Sequence, residues 1–505
     1  MTSVLFNLNG VDTSTVPALT DFSASTAANP CSIACSSLRH LFGKNVITQN
    51  SSSYDAFSSS YWSMQQALVD PQCIFQPTTA QDISTLILIA RLTHCPFAVK
   101  SGGHAVFAGA SNIEGGITVT FDNMKSIALS VDNKIASIEP GNTWYEVYTK
   151  LEPKSLAVIG GRVAAIGVGG LTLGGGISFL SNQYGWACDN VASFEVVTAS
   201  GRIVTASPTR HADLFWALRG GGNNFGIVTR FNFETISQGA MWGGPRAYAE
   251  EQFPAVIEAF YNLGVNSPQD TAAAQILSFA YVQGTRIASA ELEYAKPIAN
   301  ASIFSEYLAI PAIQDGTMIT TLADLTLQLN NSNPSGLREM YWTVTFRLER
   351  DLTSFVADVF FEEIASIKDA AKLLPAASLQ VITVPMLRNF ARKGGNALGL
   401  SDHDGPLLLL LSNMMWADGA DDGRIIAANK RIIDRTTLEA KKRGLFVEYV
   451  YMNYASQFQD VISSYGSENQ AALKAVARKY DPQGVFQVLQ PGYFKLDGAP
   501  SANRR

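Results

Sequence analysis

Glycine is unevenly placed in this chain, and its placement constrains the fold more than any other feature. Dense clusters occur at Gly102-Gly103 beside His104, at GGRVAAIGVGGLTLGGG from Gly160 to Gly176, and at RGGGNNFGIVT from Arg219 to Thr229. Glycine is needed where the backbone turns with positive φ or approaches a ligand closely, and consecutive main-chain N–H groups in such loops form concavities that hold a pyrophosphate. One cluster reads equally as bulges and tight turns of a β-rich region. Several in one region point to a phosphate-bearing cofactor. None is a clean GxGxxG between a strand and a helix with an acidic residue at the expected distance, and none ends in Gly-Lys-Ser/Thr. Nicotinamide and nucleoside-triphosphate sites of the usual kinds are therefore disfavoured.

At 505 residues the chain is long enough for two or three domains. A hydrophobic fraction of 47% with only 16% charged residues predicts an ordered globular protein. The net charge of −6 leaves no basic field for phosphate backbones or anionic lipid, so nucleic acid is excluded as a partner. The longest apolar stretch, Pro406 to Ala417 interrupted by Ser412 and Asn413, is too short to span a bilayer, so no membrane partner is expected. The opening MTSVLFNLNGVDTS lacks a basic n-region and a sustained apolar core. Secretion is expected only if a leader has been removed, and the compartment is otherwise open. Of five cysteines, Cys31, Cys35, Cys73 and Cys95 fall in the first fifth of the chain, with no CxxC pair or histidine cluster to complete a metal site. One or two disulfides are expected, their pairing open, and no metal. Sequons at Asn50, Asn300 and Asn330 agree with secretion but equally suit unmodified surface asparagines.

The elements are mixed. Thr79, with Asp82 three residues on, predicts a capped helix over Ile83 to Cys95, and further helices are expected at Thr143–Leu151 and His211–Leu218. Strands are expected at Phe97–Lys100, Ile117–Phe121, Ile135–Glu139, Leu156–Ile159 and Phe194–Thr198, the last turning through Ser200-Gly201 into Ile203-Val204. Beyond Ile236, strand-like runs (Gln275–Tyr281, Tyr341–Leu348, Leu407–Leu411) alternate with helical ones (Phe253–Leu263, Asp351–Leu373, Arg424–Arg443). The helix Glu468–Tyr480 follows. This irregular rhythm favours an α+β class over a strict βαβ one.

Several blocks resemble, in order, the FAD-binding domain of berberine-bridge-enzyme-like flavoproteins, members of the vanillyl-alcohol-oxidase and PCMH-type superfamily. These are KSGGHAVFAGAS from Lys100, GVGGLTLGGG from Gly167, YGWACDNV from Tyr184 and DLFWALRGGGNNFGIVT from Asp213; YMNYASQ and YDPQGVFQVLQPGYFK resemble the family's C-terminal return. The resemblance implies a two-domain α+β fold: a lead-in over 1–66, an FAD-binding domain over 67–240, a substrate domain over 241–446 and a C-terminal segment over 447–505 that returns to the first domain.

It further implies FAD held by a single bond from His104 to the flavin 8α-methyl group, because Val163 stands where many relatives carry a second, cysteine link. The residues implied to cradle the cofactor are Lys100, Ser101, Gly102, Gly103, Gly109, Ser111, Ile166, Gly167, Gly169, Gly170, Gly174, Gly175, Asn190, Gly226, Ile227, Val228, Asn453 and Tyr454. Ile166 faces the flavin where oxidases usually have Val and dehydrogenase-like relatives Leu, and Ile177 replaces an aromatic residue that could act as a base. Proton abstraction then falls to the C-terminal segment, read as a strand in which Tyr449, Tyr451 and Asn453 share a face. The family places Tyr451 nearest the reacting carbon, as catalytic base or, alternatively, as a packing or substrate-binding tyrosine. The expected activity is oxidation of an alcohol, sugar or phenolic small molecule by hydride transfer, with dioxygen as acceptor. A flavin-dependent oxidative cyclase, or a flavin-carrying binding protein without turnover, are the alternatives.

Overall fold

The computed structural model describes residues 2–16 and 29–500; the parts of the lead-in at residue 1 and residues 17–28, and the C-terminal end at 501–505, lie outside the described residues. The first half is built on two small sheets. In one, Val46–Thr48, Cys73–Phe75, Ile117–Thr120 and Phe97–Lys100 lie side by side in that order, parallel except for the first pair. In the other, Ile127–Leu129, Ile135–Ile138, Ile227–Glu234, Val191–Val197 and Ile203–Ala206 form an antiparallel sheet.

The helix Ala80–Thr93 begins at the predicted cap: the Thr79 hydroxyl accepts from the Asp82 N–H, and the Asp82 carboxylate accepts from the Thr79 N–H. Thr143 and Glu146 repeat this reciprocal arrangement at Trp144–Leu151. Each such cap stabilises its helix start by about 1 kcal/mol.

The second half is one nine-stranded antiparallel sheet formed between Met241 and Val447. Its faces alternate with period 2. Val344, Phe346, Leu408 and Leu410 pack with Phe260, Phe360 and Ile432 of the covering helices Phe253–Asn266, Arg350–Ile364 and Asp422–Lys442. The intervening residues face the first half of the chain. The helix expected over Asp351–Leu373 stops at Ile364, because the chain must turn before Leu374 to enter the strand Leu374–Ile382.

The aromatic strand expected after Val447 does not form. Only Phe446 and Val447 pair with a neighbour, and Met452–Tyr454 closes into a single 3-10 turn, with the Tyr454 N–H donating to the Tyr451 carbonyl at 3.0 Å. With no further strand to pair with, the chain crosses between the two halves. It then returns to the first: Lys479 meets Asp213 at 2.6 Å and the Phe97 N–H donates to the Leu489 carbonyl at 2.6 Å.

Four of the five cysteines are paired, Cys31 with Cys95 and Cys35 with Cys73, and Cys188 is free and buried. The bridges fasten the helix Pro30–Phe42 to the first parallel sheet across 64 and 38 residues of chain. Lost chain entropy in the unfolded state makes each worth up to about 4 kcal/mol. Replacing both Cys35 and Cys73 by Ala should therefore lower the unfolding free energy by about 2–4 kcal/mol. An unchanged midpoint in thermal or urea unfolding would contradict this.

Candidate functional site

A cavity of about 690 Å³ lies between the two halves. Its floor is made by two glycine loops that meet backbone to backbone. A Cβ on Gly102 would lie 2.4 Å from the Gly167 nitrogen, and one on Gly167 would lie 2.2 Å from the Gly102 nitrogen. Ser101 fastens the crossing, its hydroxyl donating to the Pro140 carbonyl at 2.6 Å and accepting from the Gly169 N–H at 3.1 Å. Gly103 takes φ +69°, a left-handed turn that aims the chain from the strand Phe97–Lys100 into the site. Among the described residues, nothing accepts from the Gly102 or Gly103 amides. A Cβ on Gly170 would meet nothing within 4 Å, so its place in the wall is open.

His104 follows on this floor. Its ring stacks on Trp62, centroids 4.1 Å apart and planes 13° from parallel, and its Nε2 is buried without a hydrogen-bond partner. Burial lowers the imidazole to about 4, so it is neutral at ordinary pH. Trp62 is held in turn by the other half, its indole N–H donating to the Asn333 carbonyl at 3.3 Å.

The roof comes from the cavity-facing side of the large sheet. Ile287, Ser289 and Glu291 line it from one strand, and Ala376, Ser378 and Gln380 from another. Ser278 stands between the two serines in register, 2.9 Å from the Ser378 hydroxyl. Burial raises Glu291 to about 7 and pushes Glu293 well above the carboxylate range.

Tyr451 forms one wall. Its hydroxyl oxygen accepts from the N–H groups of Gly176 and Ile177, each at 3.2 Å, and from Asn453 Nδ2 at 3.1 Å. A neutral phenol has two lone pairs to offer, whereas a phenolate accommodates three donors. Burial and the neighbouring Tyr454 push the phenol above its ordinary 10.0, while the Asn453 bond, the Arg162 charge and the Ile177 N–H pull it down. Arg162 Nη2 donates to the Tyr454 hydroxyl and to Gln380 Oε1, both at 2.7 Å.

Of the residues expected at the cofactor, Ser101, Gly102, Gly103, His104 and Ser111 line the cavity, as do Ile166, Gly167, Gly169 and Gly170, and Val163 lies beside them. Gly226, Ile227 and Val228 join them, with Tyr451, Asn453 and Tyr454. Others stand behind the wall. Lys100 turns away to Ser60 and the rings of Phe57 and Tyr61. Asn190 donates to the carbonyls of Tyr184 and Trp186. Gly174 and Gly175 make room, since a Cβ on the first would meet Asn453 Oδ1 at 2.1 Å and one on the second Trp186 at 2.6 Å. The Gly109 carbonyl packs 2.2 Å from where a Cβ on Gly492 would lie.

Tyr449 does not share a face with Tyr451 and Asn453. Because no strand forms there, its ring stacks on Tyr465 instead, 5.8 Å between centroids, outside the cavity lining. Arg162, Gln380 and Trp62 are the residues that sequence reasoning missed. For Arg162 a signal existed, since it is the single charged residue between Lys154 and Asp189. For Gln380 none did.

A floor of close-packed glycine main chain, an unpartnered neutral imidazole and a roofed cavity define a two-domain flavoprotein oxidoreductase. Residues 71–207 match the family described as FAD binding domain. Over 453 residues the chain is 37% identical to the FAD-dependent monooxygenase tpcD of Cochliobolus heterostrophus, covering 87% of this chain and 88% of that protein. A BBE-like protein of Physcomitrella patens has the same fold, with a TM-score of 0.74 at 18% identity over 92% of this chain and 99% of that one. So does the xylooligosaccharide oxidase of Myceliophthora thermophila C1, at TM-score 0.74 and 21% identity, over 92% and 99% of the two chains. The chain belongs to the family of FAD-dependent oxidoreductases that includes this fungal monooxygenase, and its fold is that of the BBE-like structures.

Substituting Gly102 by Ala tests the floor. The overlap with Gly167 costs on the order of 3 kcal/mol or more, which should weaken FAD binding to the apoprotein about 100-fold. A purified G102A protein with the wild-type ratio of flavin to protein would refute the assignment.

Proposed function

We propose that the enzyme oxidises an alcohol-bearing small molecule, a sugar or phenolic metabolite among the candidates, with Tyr451 receiving the hydroxyl proton. The convergence of three hydrogen-bond donors on the Tyr451 oxygen carries this reading, because it offsets part of the cost that burial places on the charged form of a phenol that stands at the cavity wall. The residues of the floor fit FAD. Bound there, FAD would supply the two-electron acceptor for the hydride, with dioxygen as the proposed final acceptor. The chain's own contribution is to orient the substrate between floor and roof, exclude water and take the proton.

We assign His104 as the single covalent anchor. Its buried, unpartnered Nε2 and neutral ring suit a nucleophile toward the flavin methyl group, and Val163 offers no second one. The Cys31–Cys95 and Cys35–Cys73 bridges support maturation in an oxidising compartment, secreted or lumenal. Free thiols at these positions in protein isolated under non-reducing conditions would overturn that placement.

The relatives' name favours a second reading, incorporation of oxygen into the product. Turnover under ¹⁸O₂ separates them: an oxidase releases labelled peroxide in equal amount to product, whereas a monooxygenase labels the product itself.

Anaerobic bleaching of the flavin against a panel of alcohols, sugars and phenols identifies the substrate class. Tyr451→Phe should slow that bleaching by about 10²-fold or more; reduction at the wild-type rate would remove Tyr451 from the role. His104→Ala should lose the acid-stable yellow colour, and its retention would move the link to another residue.

A further inference from the structure

We propose that Arg162 is a positioning residue for proton abstraction: it holds Tyr454 and Gln380 beside Tyr451 and sets an uncompensated positive charge next to the phenol that receives the substrate proton. The proposal rests on the reading of Tyr451 as the base.

A phenol enclosed at a cavity wall is driven toward its neutral form by the loss of solvent, yet a base must be able to shed its own proton. Three neutral donors offset part of that loss, and a fixed cation offsets more, because charge interactions are strong where water is excluded. Arg162 is placed for this. It reaches the site from the floor loop that also carries Val163 and Ile166, and its Nη2 makes two 2.7 Å bonds, to the Tyr454 hydroxyl and to Gln380 Oε1. The Tyr454 ring packs edge-on against Tyr451 with centroids 4.8 Å apart, so the guanidinium fixes the ring that abuts the base. Gln380 Nε2 donates to the same Tyr454 hydroxyl at 3.0 Å, closing a triangle of Arg162, Tyr454 and Gln380.

The charge is not cancelled by an ion pair. Buried arginines ordinarily face a carboxylate, but among the described residues Arg162 has no carboxylate within 4 Å. The nearby acids Glu293, whose Oε2 is buried without a hydrogen-bond partner, and Glu291 are both shifted toward their neutral forms by burial. The titratable and charged groups around the Tyr451 phenol are thus Arg162 from the loop, Tyr449, Tyr454 and Tyr465 from the C-terminal segment, and Glu291 with Glu293 behind Arg162. Arg162 alone among them is a cation.

In the step itself, the proton leaves the substrate hydroxyl and becomes the Tyr451 O–H. The O–H bond pair becomes the second bond of the new carbonyl, while the hydrogen of the adjacent C–H would leave with its electron pair to the two-electron acceptor that bound FAD would supply. Arg162 exchanges nothing; it lowers the energy of the phenolate that starts the cycle.

Holoprotein labelled with ¹³Cζ-tyrosine provides a test independent of any substrate. The NMR resonance missing from Tyr451→Phe is Tyr451, and its titration midpoint can be followed in the wild type, Arg162→Gln and Arg162→Lys. We expect an upward shift of the Tyr451 midpoint by about one to two pH units in R162Q relative to the wild type, and return of most of the shift in R162K, with flavin content equal in all three. A midpoint that does not move in R162Q overturns the proposal, as does an R162K protein no better than R162Q. Failure of the underlying reading looks different: Tyr451→Phe would bleach at the wild-type rate while the R162Q shift remained.

Discussion

Everything in the site hangs on two peptide planes that touch. Gly102 and Gly167 approach so closely that neither tolerates a single added carbon, and that contact sets the height of the floor on which His104, Gly170 and Ile166 lie. Were it loosened by even the 1 Å that a methyl group demands, Ser101 would lose its pair of hydrogen bonds to Pro140 and Gly169, and the loop bearing Arg162 would drift from Tyr454. The glycines are thus not points of flexibility. At this crossing they are places of crowding: Gly102 and Gly167 have ordinary negative-side backbone angles, and what they supply is the absence of a side chain where two main chains touch.

The two halves then divide the work. The first holds a cofactor with main chain, which changes little as side chains vary. The second closes over it with alternate residues of a sheet whose other face is fixed by three helices, so the roof can vary without disturbing its own core. Trp62 and Tyr451 stitch the halves together at opposite edges. Trp62 clamps the imidazole from below while bonding to Asn333 of the second half, and Tyr451 stands on the N–H groups of Gly176 and Ile177 of the first. Both are aromatic rings with a polar tip, suited to seams that are apolar on one side and hydrogen-bonded on the other.

What could be seen in the sequence follows from this division. The α+β class, the caps at Thr79 and Thr143 and the glycine floor are local: each needs only a few consecutive residues, and each can be read in a line of text. The roof is not local. Gln380, Ser278 and Glu291 are brought together by strand pairing across a long stretch of chain, and no spacing marks them in advance. The C-terminal segment misled for the same reason. An alternating pattern of tyrosines predicts a strand only if another strand lies alongside, and after Val447 there is none, so Tyr449 turns to Tyr465 while Tyr451 and Asn453 meet within one turn. Arg162 shows the converse case, a residue whose isolation in an apolar stretch was visible but whose partners were not.

The same isolation explains why burial of acids is tolerable in the roof. Ionised, Glu291 and Glu293 would compete with the phenol for the field of Arg162; neutral, they leave it intact. Burial that would be costly for a charged pair costs much less for protonated carboxyls, and it leaves the cation with a phenol, an amide and a second phenol as neighbours. Glu291, raised to about 7, is half ionised there and fully ionised well before the phenol, so alkali adds negative charge near the arginine before the tyrosine gives up its proton. The two titrations oppose each other. A base built this way gains less from alkali than an isolated phenol would, and its working range is set by the carboxyls above it as much as by the tyrosine itself.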